Sequence, residues 1–559
     1  MRTVPLILLV GHDRLAEQVC AELTATMGHE VRVVWSLDGA RQDVFRKLGA
    51  SVTSQAPGSD EALIEAGVRE ASSILTLSPD DGLNLSVALR ARMLNPSIRI
   101  VLRQFDTVLG RKLEQNVADC TVLSLAAHAA ATYAGAALDP ACFFAIRFPE
   151  NTGPLVGFMQ ETAATLGIAG MTVAQAEHHV DARVIAIGTR EDPQPDETVG
   201  EGDAPVTLFG LIREKAPPQS TGDPVASPAP APRWSPSAHG AVNAVRQMNP
   251  ILRTLAITAI SFFLLSFAFF HFALGKTWTA AAFYVVETMT NVGYGEVDVV
   301  TRRGPLITAA AITAMLGGIV FTSIFIGYVS SAVTRAQWIA LQGLRRIHAR
   351  EHVVICGAGT VGSAVMNLLI GANKRVVVIE PNPGPDLIRR AREPNIDLLT
   401  GDARGDSALD LCDIAHATAF LALTENDATN LEIALGARAR VPAIRLVVRM
   451  EDPHFAFAAA RLLGITTFSP SALGAPAFAG LSRFPGTRGR VSYAGDDHTV
   501  GQRLQGPTPE RPPARECTAL CVWRSNELRF IRDFAEMEAF DAVLFSVPLR
   551  QFKEPEIPA

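Results

Sequence analysis

The chain lacks three features that would place it in common classes of protein. Its seven cysteines are scattered without the regular spacing of a disulfide framework, which favours a reducing compartment. It has no excess of positive charge, since the formal net charge is −6, and this argues against a nucleic-acid partner. The early apolar run Pro5–Val10 is too short for the hydrophobic region of a signal peptide and better fits a buried strand.

Two long apolar runs lie near the middle of the chain, at Leu252–Leu274 and Leu306–Val333. As a helix, each is long enough to cross a hydrocarbon core of about 30 Å. Between them, Trp278–Thr290 has the length of a short helix that reaches only partway into a membrane, where irregular backbone is tolerated if it lines a water-filled pathway. The order of span, short helix, loop and span predicts a membrane pore over 250–335.

The loop after the short helix places two glycines around one aromatic residue. Backbone carbonyls that point at a central axis need dihedral angles that Gly293 and Gly295 reach without steric cost. The stretch Thr288–Glu296 resembles the selectivity filter of two-helix potassium channels, in which each of four subunits supplies a quarter of the ring. The resemblance implies K⁺ as the permeant ion, bound at Asn291, Val292, Gly293 and Tyr294, with Gly295 completing the filter.

Residues next to the filter are expected to support the pore; they are Glu287, Thr288, Thr290 and Glu296. Glu296 stands where the family has aspartate. Asn291 replaces a threonine that lines the innermost ion site, and because its amide oxygen can also face a cation, selectivity for K⁺ over Na⁺ stays open. Glu287 either shares a proton with Glu296 or hydrogen-bonds locally, since two close carboxylates tend to share a proton.

An internal repeat flanks the predicted pore. Residues 74–103 align without a gap with residues 420–449, at a constant offset of 346 residues. Identical pairs include Asp81/Asp427, Asn84/Asn430, Arg99/Arg445 and Arg103/Arg449. An even number of spans puts both copies on one side of the membrane, and arginines before the first run and after the second mark that side as cytoplasmic. We therefore expect a multi-pass protein of the cell (inner) membrane with both soluble regions in the cytoplasm.

The C-terminal copy begins with a strand, a glycine-rich turn, a helix and a second strand that ends in an acid. In such a unit the first glycine allows a tight turn, the second lets a phosphate approach the backbone, the third permits close helix packing, and the acid binds a ribose hydroxyl. The pattern predicts a Rossmann-like α/β domain that binds NAD(H) or another adenine nucleotide. The predicted site comprises Gly357, Gly359, Thr360, Val361, Gly362, Glu380 and Asp402.

With Gly401–Asp402 and Asn426–Asn430 included, the copy at 350–480 resembles the regulator-of-K⁺-conductance (RCK) domains, also called TrkA-N domains. The copy at 1–140 resembles them more weakly. In some RCK channels, carboxylates at positions matching Asp402 and Glu425 bind Ca²⁺, which makes Ca²⁺ a rival ligand. Asp427 and Asn430 are expected to cap the helix after the strand at 418–423, since both recur in the N-terminal copy.

The N-terminal copy lacks the residues of the nucleotide site. At the repeat offset three positions change: Gly359 becomes Asp13, Glu380 becomes Val34 and Asp402 becomes Ala56. An aspartate in the turn would repel a pyrophosphate, which predicts a structural or assembly role for this copy. Smaller α/β segments follow the two copies at 141–215 and 486–550, and a Pro/Ala/Ser-rich linker occupies 216–240.

These predictions combine into a homotetrameric, ligand-gated potassium channel that is not an enzyme. Its fold class is a membrane α-helical pore of two spans plus a pore helix, joined to Rossmann-like α/β cytoplasmic domains, each followed by a small α/β lobe. One alternative is a regulatory subunit of a Trk/Ktr-type potassium uptake system, which normally lacks a filter of its own. An NAD-dependent oxidoreductase is the other, but no acid/base constellation presents itself and the pore would be unexplained.

Overall fold

The computed structural model describes residues 4–149, 153–200, 205–213, 260–261, 263–290, 347–508 and 517–552, with isolated residues between 304 and 330. The chain divides into two compact units, one formed by 1–219 together with 345–559 and the other by 220–344. Among the residues described, no helix combines the length and apolar character needed to cross a membrane.

The N-terminal copy folds around a six-stranded parallel sheet with the strand order β3-β2-β1-β4-β5-β6. Its strands are β1 Leu6–Val10, β2 Glu30–Val34, β3 Ser51–Thr53, β4 Ser73–Thr76, β5 Arg99–Arg103 and β6 Cys120–Leu123. Its helices are α1 Arg14–Ala21 (continued by a π-helical turn, Glu22–Thr26), α2 Gly39–Lys47, α3 Asp60–Glu65, α4 Asp81–Leu94, α5 Thr107–Asn116 and α6 Leu125–Leu138. The central strands β1 and β4 are almost fully buried because helices cover both faces of the sheet.

A small lobe follows, built on a five-stranded sheet of antiparallel pairs in the order β10-β9-β11-β8-β7. Its elements are β7 Cys142–Arg147, β8 Leu155–Thr162, α7 Ala163–Leu166, α8 Val173–Val180, β9 Ala182–Ile187, β10 Arg190–Glu191 and β11 Pro205–Leu211.

The second unit contributes the helix α9, Trp278–Thr290, where the sequence predicts the short pore helix. A π-helical turn at Phe269–Ala273 precedes it. Phe270 of this turn stacks on Tyr284 of α9 with ring centroids 5.7 Å apart, so the chain doubles back between them. The predicted filter, Asn291–Glu296, lies outside the described residues.

The C-terminal copy repeats the first topology, with a parallel sheet in the order β14-β13-β12-β15-β16-β17. Its strands are β12 His352–Cys356, β13 Val376–Glu380, β14 Ile396–Thr400, β15 Ala417–Ala422, β16 Arg445–Arg449 and β17 Thr466–Phe468. Its helices are α10 Thr360–Gly371, α11 Pro385–Arg390, α12 Asp406–Leu411, a 3₁₀ turn Ile414–His416, α13 Asp427–Arg440, α14 Pro453–Leu463 and α15 Pro470–Leu481. The two parallel sheets make the prediction of Rossmann-like α/β domains correct.

The second small lobe has a sheet of antiparallel pairs in the order β18-β19-β22-β20-β21. Its elements are β18 Thr487–Tyr493, β19 Asp496–Leu504, β20 Thr518–Arg524, β21 Glu527–Phe530, a 3₁₀ turn Phe534–Glu536, β22 Ala542–Pro548 and α16 Leu549–Phe552. The two lobes share an aromatic core, in which Phe158 stacks on Tyr493 and Phe209 meets Phe530 edge to face.

The two Rossmann-like copies exchange one helix each. The helix α6 leaves the N-terminal sheet and packs on α10 of the C-terminal copy, where Tyr133 and Ala130 share a core with Val361 and Val365. In return, α15 packs on α1 of the N-terminal copy. Both helices are rich in alanine and glycine, so the helices in contact approach closely. The exchange makes the two copies one interlocked body.

Candidate nucleotide site

The turn after β12 contains three glycines. Packing requires glycine at Gly357 and Gly362, but it does not require glycine at Gly359. Gly357 has φ +92, and a Cβ there would lie 3.0 Å from the backbone nitrogen of Thr424. A Cβ on Gly362 would overlap the carbonyl oxygen of Gly357, so its absence lets α10 pack closely against the turn. Gly359 differs from both, because a Cβ there would meet nothing within 4 Å. The space over Gly359 is therefore open, unlike the space at Gly357 and Gly362.

The helix α10 begins directly at this space. Its N-cap residue is Gly359, and no side chain accepts a hydrogen bond from the first turn. The orphan N–H groups and the positive end of the helix dipole together attract an anion. Thr360 and Val361 form the first turn, so their backbone N–H groups lie at the open N-terminus of the helix.

Glu380 ends β13, the strand next to β12. One carboxylate oxygen accepts from the N–H of Ala358 at 2.8 Å, and the other accepts from the N–H of Asn382 at 3.2 Å. The carboxylate is therefore fixed at the edge of the glycine turn. From this position a carboxylate can accept a hydrogen bond from a ribose hydroxyl.

Asp402 is held by Arg404. Nε of the guanidinium donates to both carboxylate oxygens, at 3.1 Å to Oδ1 and 3.0 Å to Oδ2, and Nη2 donates to Oδ2 at 2.6 Å. The backbone N–H of Arg404 adds a fourth contact, to Oδ1 at 3.0 Å. These hydrogen bonds from Arg404 keep the pKa of Asp402 below its usual value.

Glu425 is exposed, and the part of the chain that the structure describes holds no cluster of three or more His, Cys, Asp or Glu residues suited to a metal ion. Nothing in the geometry supports the predicted Ca²⁺ site at Asp402 and Glu425.

The corresponding turn of the N-terminal copy is filled by its own side chains. Asp13 accepts from the N–H of Ala16 at 3.1 Å and so caps α1, and its other oxygen lies 2.5 Å from Nη1 of Arg103. The same Arg103 nitrogen donates to the carbonyl of Leu77 at 3.0 Å. A carboxylate thus takes the position that a phosphate would occupy, and a buried arginine neutralises it.

An aromatic stack flanks the same turn. His12, which stands at the position of Ala358, stacks on Trp35 with ring centroids 4.4 Å apart. In the sequence, Asp13 and Val34 indicate that the nucleotide site is lost from this copy, but they do not indicate that His12 and Trp35 stack beside the turn. His12 is next to Asp13, and Trp35 is next to Val34. Because the comparison of the two copies already singles out Asp13 and Val34, it could also have identified these two aromatic neighbours.

Asp427 and Asn430 do not cap the helix α13, and the prediction that they do is wrong. The N-cap is Asn426, whose side chain accepts from the N–H of Thr429 at 2.9 Å. Asp427 reaches forward to accept from the N–H of Glu451 at 3.0 Å and of Asp452 at 2.9 Å.

Asn430 is buried and joins the carboxyl ends of two strands. It exchanges two hydrogen bonds with the backbone of Thr424, at 2.9 Å each, and donates to the carbonyl of Arg449 at 3.0 Å. In the N-terminal copy Asn84 makes the same three contacts with Ser78 and Arg103. These repeated residues therefore hold the sheet edge in both copies, whether or not a ligand site is present.

The predicted pore residues are only partly described. Glu287 lies half-buried in α9, and the backbones of Thr288 and Thr290 complete that helix. Asn291, Val292, Gly293, Tyr294, Gly295 and Glu296 lie outside the described residues, so their assignment to a filter stays a prediction.

The TrkA-N domain family model matches the chain twice, over residues 7–124 and 353–468. The chain is 29% identical over 180 residues to Potassium channel protein 1 of Methanocaldococcus jannaschii, a match that covers 31% of this chain and 53% of the relative. It is 27% identical over 182 residues to the voltage-gated potassium channel Kch of Escherichia coli, covering 31% and 42%. A Trk system potassium uptake protein TrkA homolog of Pyrococcus horikoshii is 33% identical over 106 residues, covering 18% and 44%. The matched segments thus span about half or less of these relatives.

Two solved structures share the fold. The GsuK RCK domain aligns with a TM-score of 0.50 and 15% identity, covering 99% of this chain and 94% of that one. The GsuK channel bound to NAD aligns with the same TM-score and identity, covering 99% and 78%. At this identity the likeness shows the fold alone.

Proposed function

We propose that this chain, which carries two TrkA-N domains, is the subunit of a potassium channel regulated by an adenine nucleotide bound to its C-terminal copy. The observation that carries the proposal is the open glycine turn at Gly359, with Glu380 beside it, in only one of two interlocked copies. The names of two relatives as potassium channels and the filter-like sequence at 291–295 support the channel assignment.

NAD(H) is the ligand we place ahead of ATP and ADP. An acid at the end of the second strand accepts hydrogen bonds from the hydroxyls of an unphosphorylated ribose, whereas a phosphate on that ribose would be repelled by it. The solved structure of the GsuK channel bound to NAD shares this fold and supports the same choice. We propose a regulatory role for the nucleotide and no catalytic one.

The exchanged helix α6 couples the proposed nucleotide site to the N-terminal copy. The phosphates would bind at the N-terminus of α10, and α6 of the other copy packs along that same helix. A nucleotide that binds one arrangement of α6 and α10 more tightly than another shifts the population toward it. In this population shift the N-terminal copy, whose turn is filled by Asp13, acts as the structural partner of the nucleotide-binding copy.

A homotetramer in the cell inner membrane completes the proposal. Four chains are needed to close a filter ring, and the apolar runs within 250–335 are proposed to insert in the bilayer with both TrkA-N copies in the cytoplasm. Large apolar side chains at the surface of the copies support assembly: Met93 of α4 is 82% exposed and Leu462 of α14 is 79% exposed.

The experiment is potassium flux from the purified full chain in liposomes, with and without NAD(H), ADP and ATP. We expect flux that changes on addition of NAD(H), and its loss in Gly293→Ala with nucleotide binding retained, because an added Cβ opposes the carbonyl-inward backbone. Unaltered flux in Gly293→Ala would refute the pore assignment.

A regulatory subunit of a Trk-type uptake system is the second candidate, favoured by the relatives named as TrkA homologs. It predicts nucleotide binding without any flux from the chain alone. The same liposome experiment therefore separates the two functions.

A further inference from the structure

A cavity of about 470 Å³ lies where the two copies and their lobes meet. Its walls come from α5, α6 and β7 of the N-terminal half and from α10 and β18 of the C-terminal half. This volume is within the range of sites that hold small metabolites. The glycine turn is not the cavity itself, but Thr360, the first residue of α10, belongs to its wall.

The cavity carries an excess of positive charge. Arg111, Arg147 and Arg488 line it, against Glu114 as its acidic residue. The backbone N–H of Val122 donates to Glu114 at 2.8 Å and so offsets part of the negative charge. Nε of Arg147 donates to the carbonyl of Gly153 at 2.9 Å, and Nε of Arg488 donates to the Gln502 side chain at 3.1 Å. These contacts anchor two of the guanidinium groups at the wall through Nε.

Neutral polar groups complete the wall. Thr360, Ser363 and Asn367 follow one another along one side of α10. Gln104 is only 2% exposed, and its Nε2 donates to the carboxylate of Asp81 at 2.9 Å. This hydrogen bond holds its side chain in place at the edge of the cavity.

The repeat supplies an internal comparison, because charged side chains form contacts across the equivalent place at the other end of the interface. Arg14, at the position of Thr360, donates to the carbonyl of Glu451 at 3.5 Å, and Glu451 stands at the position of Phe105. Glu22, at the position of Leu368, forms an ion pair with Arg490. Opposite charges thus meet across that end of the interface, whereas the residues that line the cavity include three arginines and one glutamate.

We infer that this cavity is a second ligand site, which binds a small polyanion of metabolite size bearing carboxylate or phosphate groups. Guanidinium groups bind both kinds of oxyanion through charge-assisted hydrogen bonds. Since the walls come from both copies and α10 begins at the glycine turn, the polyanion is coupled to the nucleotide. Its coupling to the nucleotide and its effect on gating rest on the proposed function; its binding does not.

The test is calorimetric titration of the purified full chain with inorganic pyrophosphate and with citrate, at low salt and with saturating NAD. We expect at least one probe to bind, and the choice between them distinguishes phosphate from carboxylate recognition. Arg111→Gln combined with Arg488→Gln should weaken binding at least about tenfold, since two charge-assisted contacts are lost. Lys112→Gln is the matched control, because Lys112 is exposed, adjoins Arg111 in α5 and does not line the cavity. It should leave the affinity unchanged.

A melting temperature equal to that of the wild type shows that the double variant is folded. The inference is overturned if neither probe binds, or if the double variant binds as tightly as the wild type. It is also overturned if NAD displaces the probe completely and Gly359→Asp abolishes probe binding, because the anion would then occupy the glycine turn. None of these outcomes depends on flux, so a failed pore assignment would be recognised separately.

Discussion

Position 359 shows how one side chain decides between a ligand site and a filled turn. Gly359 leaves the N-terminus of α10 open, whereas its repeat equivalent Asp13 caps α1 and pairs with Arg103. A phosphate and the Asp13 carboxylate compete for the same kind of backbone N–H groups. The N-terminal copy therefore contains the substitution that would inactivate the C-terminal one.

Gly359→Asp is accordingly predicted to weaken NAD binding by roughly 100-fold or more, because the new carboxylate takes the N–H groups and repels the pyrophosphate. Calorimetry on the full chain measures the loss. Gly371→Asp is the control, since a Cβ at this distal end of α10 meets nothing within 4 Å and no nucleotide contact is proposed there. Equal affinities of the wild type and Gly359→Asp would contradict the assigned site.

His29 is a buried titratable residue whose effect on stability can be measured. It is 8% exposed, and neither ring nitrogen has a hydrogen-bond partner within the part of the chain described. Burial, helped by the positive charge of Arg483, lowers its pKa from 6.5 to about 4. Between these values the unfolded chain binds more protons than the folded one, so the stability present above pH 6.5 is lost as the pH falls toward 4.

From pH 7 to pH 5 this single group is predicted to lower the free energy of unfolding by about 2 kcal/mol. In His29→Gln that part of the pH dependence should disappear, whereas His454→Gln, which changes an exposed histidine, should keep it. Urea unfolding of the first unit, followed at both pH values, provides the measurement. Parallel pH curves for wild type and His29→Gln would show that His29 is protonated without cost in the folded state.

At the scale of elements, the two copies share a device that holds strand ends together. Asn430 joins the end of β15 to the end of β16, and Asp427 fixes the loop that leads from β16 into α14. Their counterparts Asn84 and Asp81 do the same in the copy without an open turn. Their recurrence therefore reflects the architecture of the sheet edge rather than the ligand.

Asn430→Ala is predicted to destabilise the first unit by about 2–3 kcal/mol, because it leaves the Thr424 N–H and the Arg449 carbonyl unsatisfied in a partly buried place. Asn426→Ala, which removes only an exposed N-cap, should cost about 1 kcal/mol. Thermal unfolding of both variants tests the difference. If the two variants lose the same amount of stability, the hydrogen bonds of Asn430 contribute no more than those of an N-cap residue.

At the scale of the whole molecule, the exchanged helices are secured by the repeated arginines. Arg445 donates from Nη1 to the carbonyls of Ala137 at 2.6 Å and Leu138 at 2.8 Å, which end α6. Its equivalent Arg99 donates to the carbonyl of Arg483, just beyond the end of α15, at 3.3 Å. Each copy thus supplies a cation to the C-terminal end of the helix that crosses from the other copy, where the helix dipole is negative.

Arg445→Met is predicted to lower the stability of the interlocked unit by about 1–3 kcal/mol, since buried helix carbonyls lose a charged donor. Arg440→Met is matched to it: Arg440 pairs with Asp410 within one copy, and an exposed pair of this kind contributes less than about 1 kcal/mol. Calorimetric melting temperatures of the full chain compare the two. A larger loss in Arg440→Met would refute the crossing role of Arg445.

The sequence by itself determined the repeat, the parallel α/β fold of each copy, the glycine turn at Gly357–Gly362 and its replacement at Asp13. These features are local: strand, turn and helix follow within one short segment, and a constant offset compares the copies position by position. The short helix at Trp278–Thr290 was predictable for the same reason. The assignment of the residues beyond it to a filter stays a prediction from sequence.

Only the tertiary structure decided which residues meet across long separations. Arg103 reaches Asp13 from another strand end, Asn430 reaches Arg449, and α6 leaves its own sheet for the other copy. The cavity between the copies follows from that exchange, because its walls come from segments far apart in the chain. Packing of apolar faces against distant partners fixes these contacts, and no periodicity or spacing within a single segment encodes which partner a face will find.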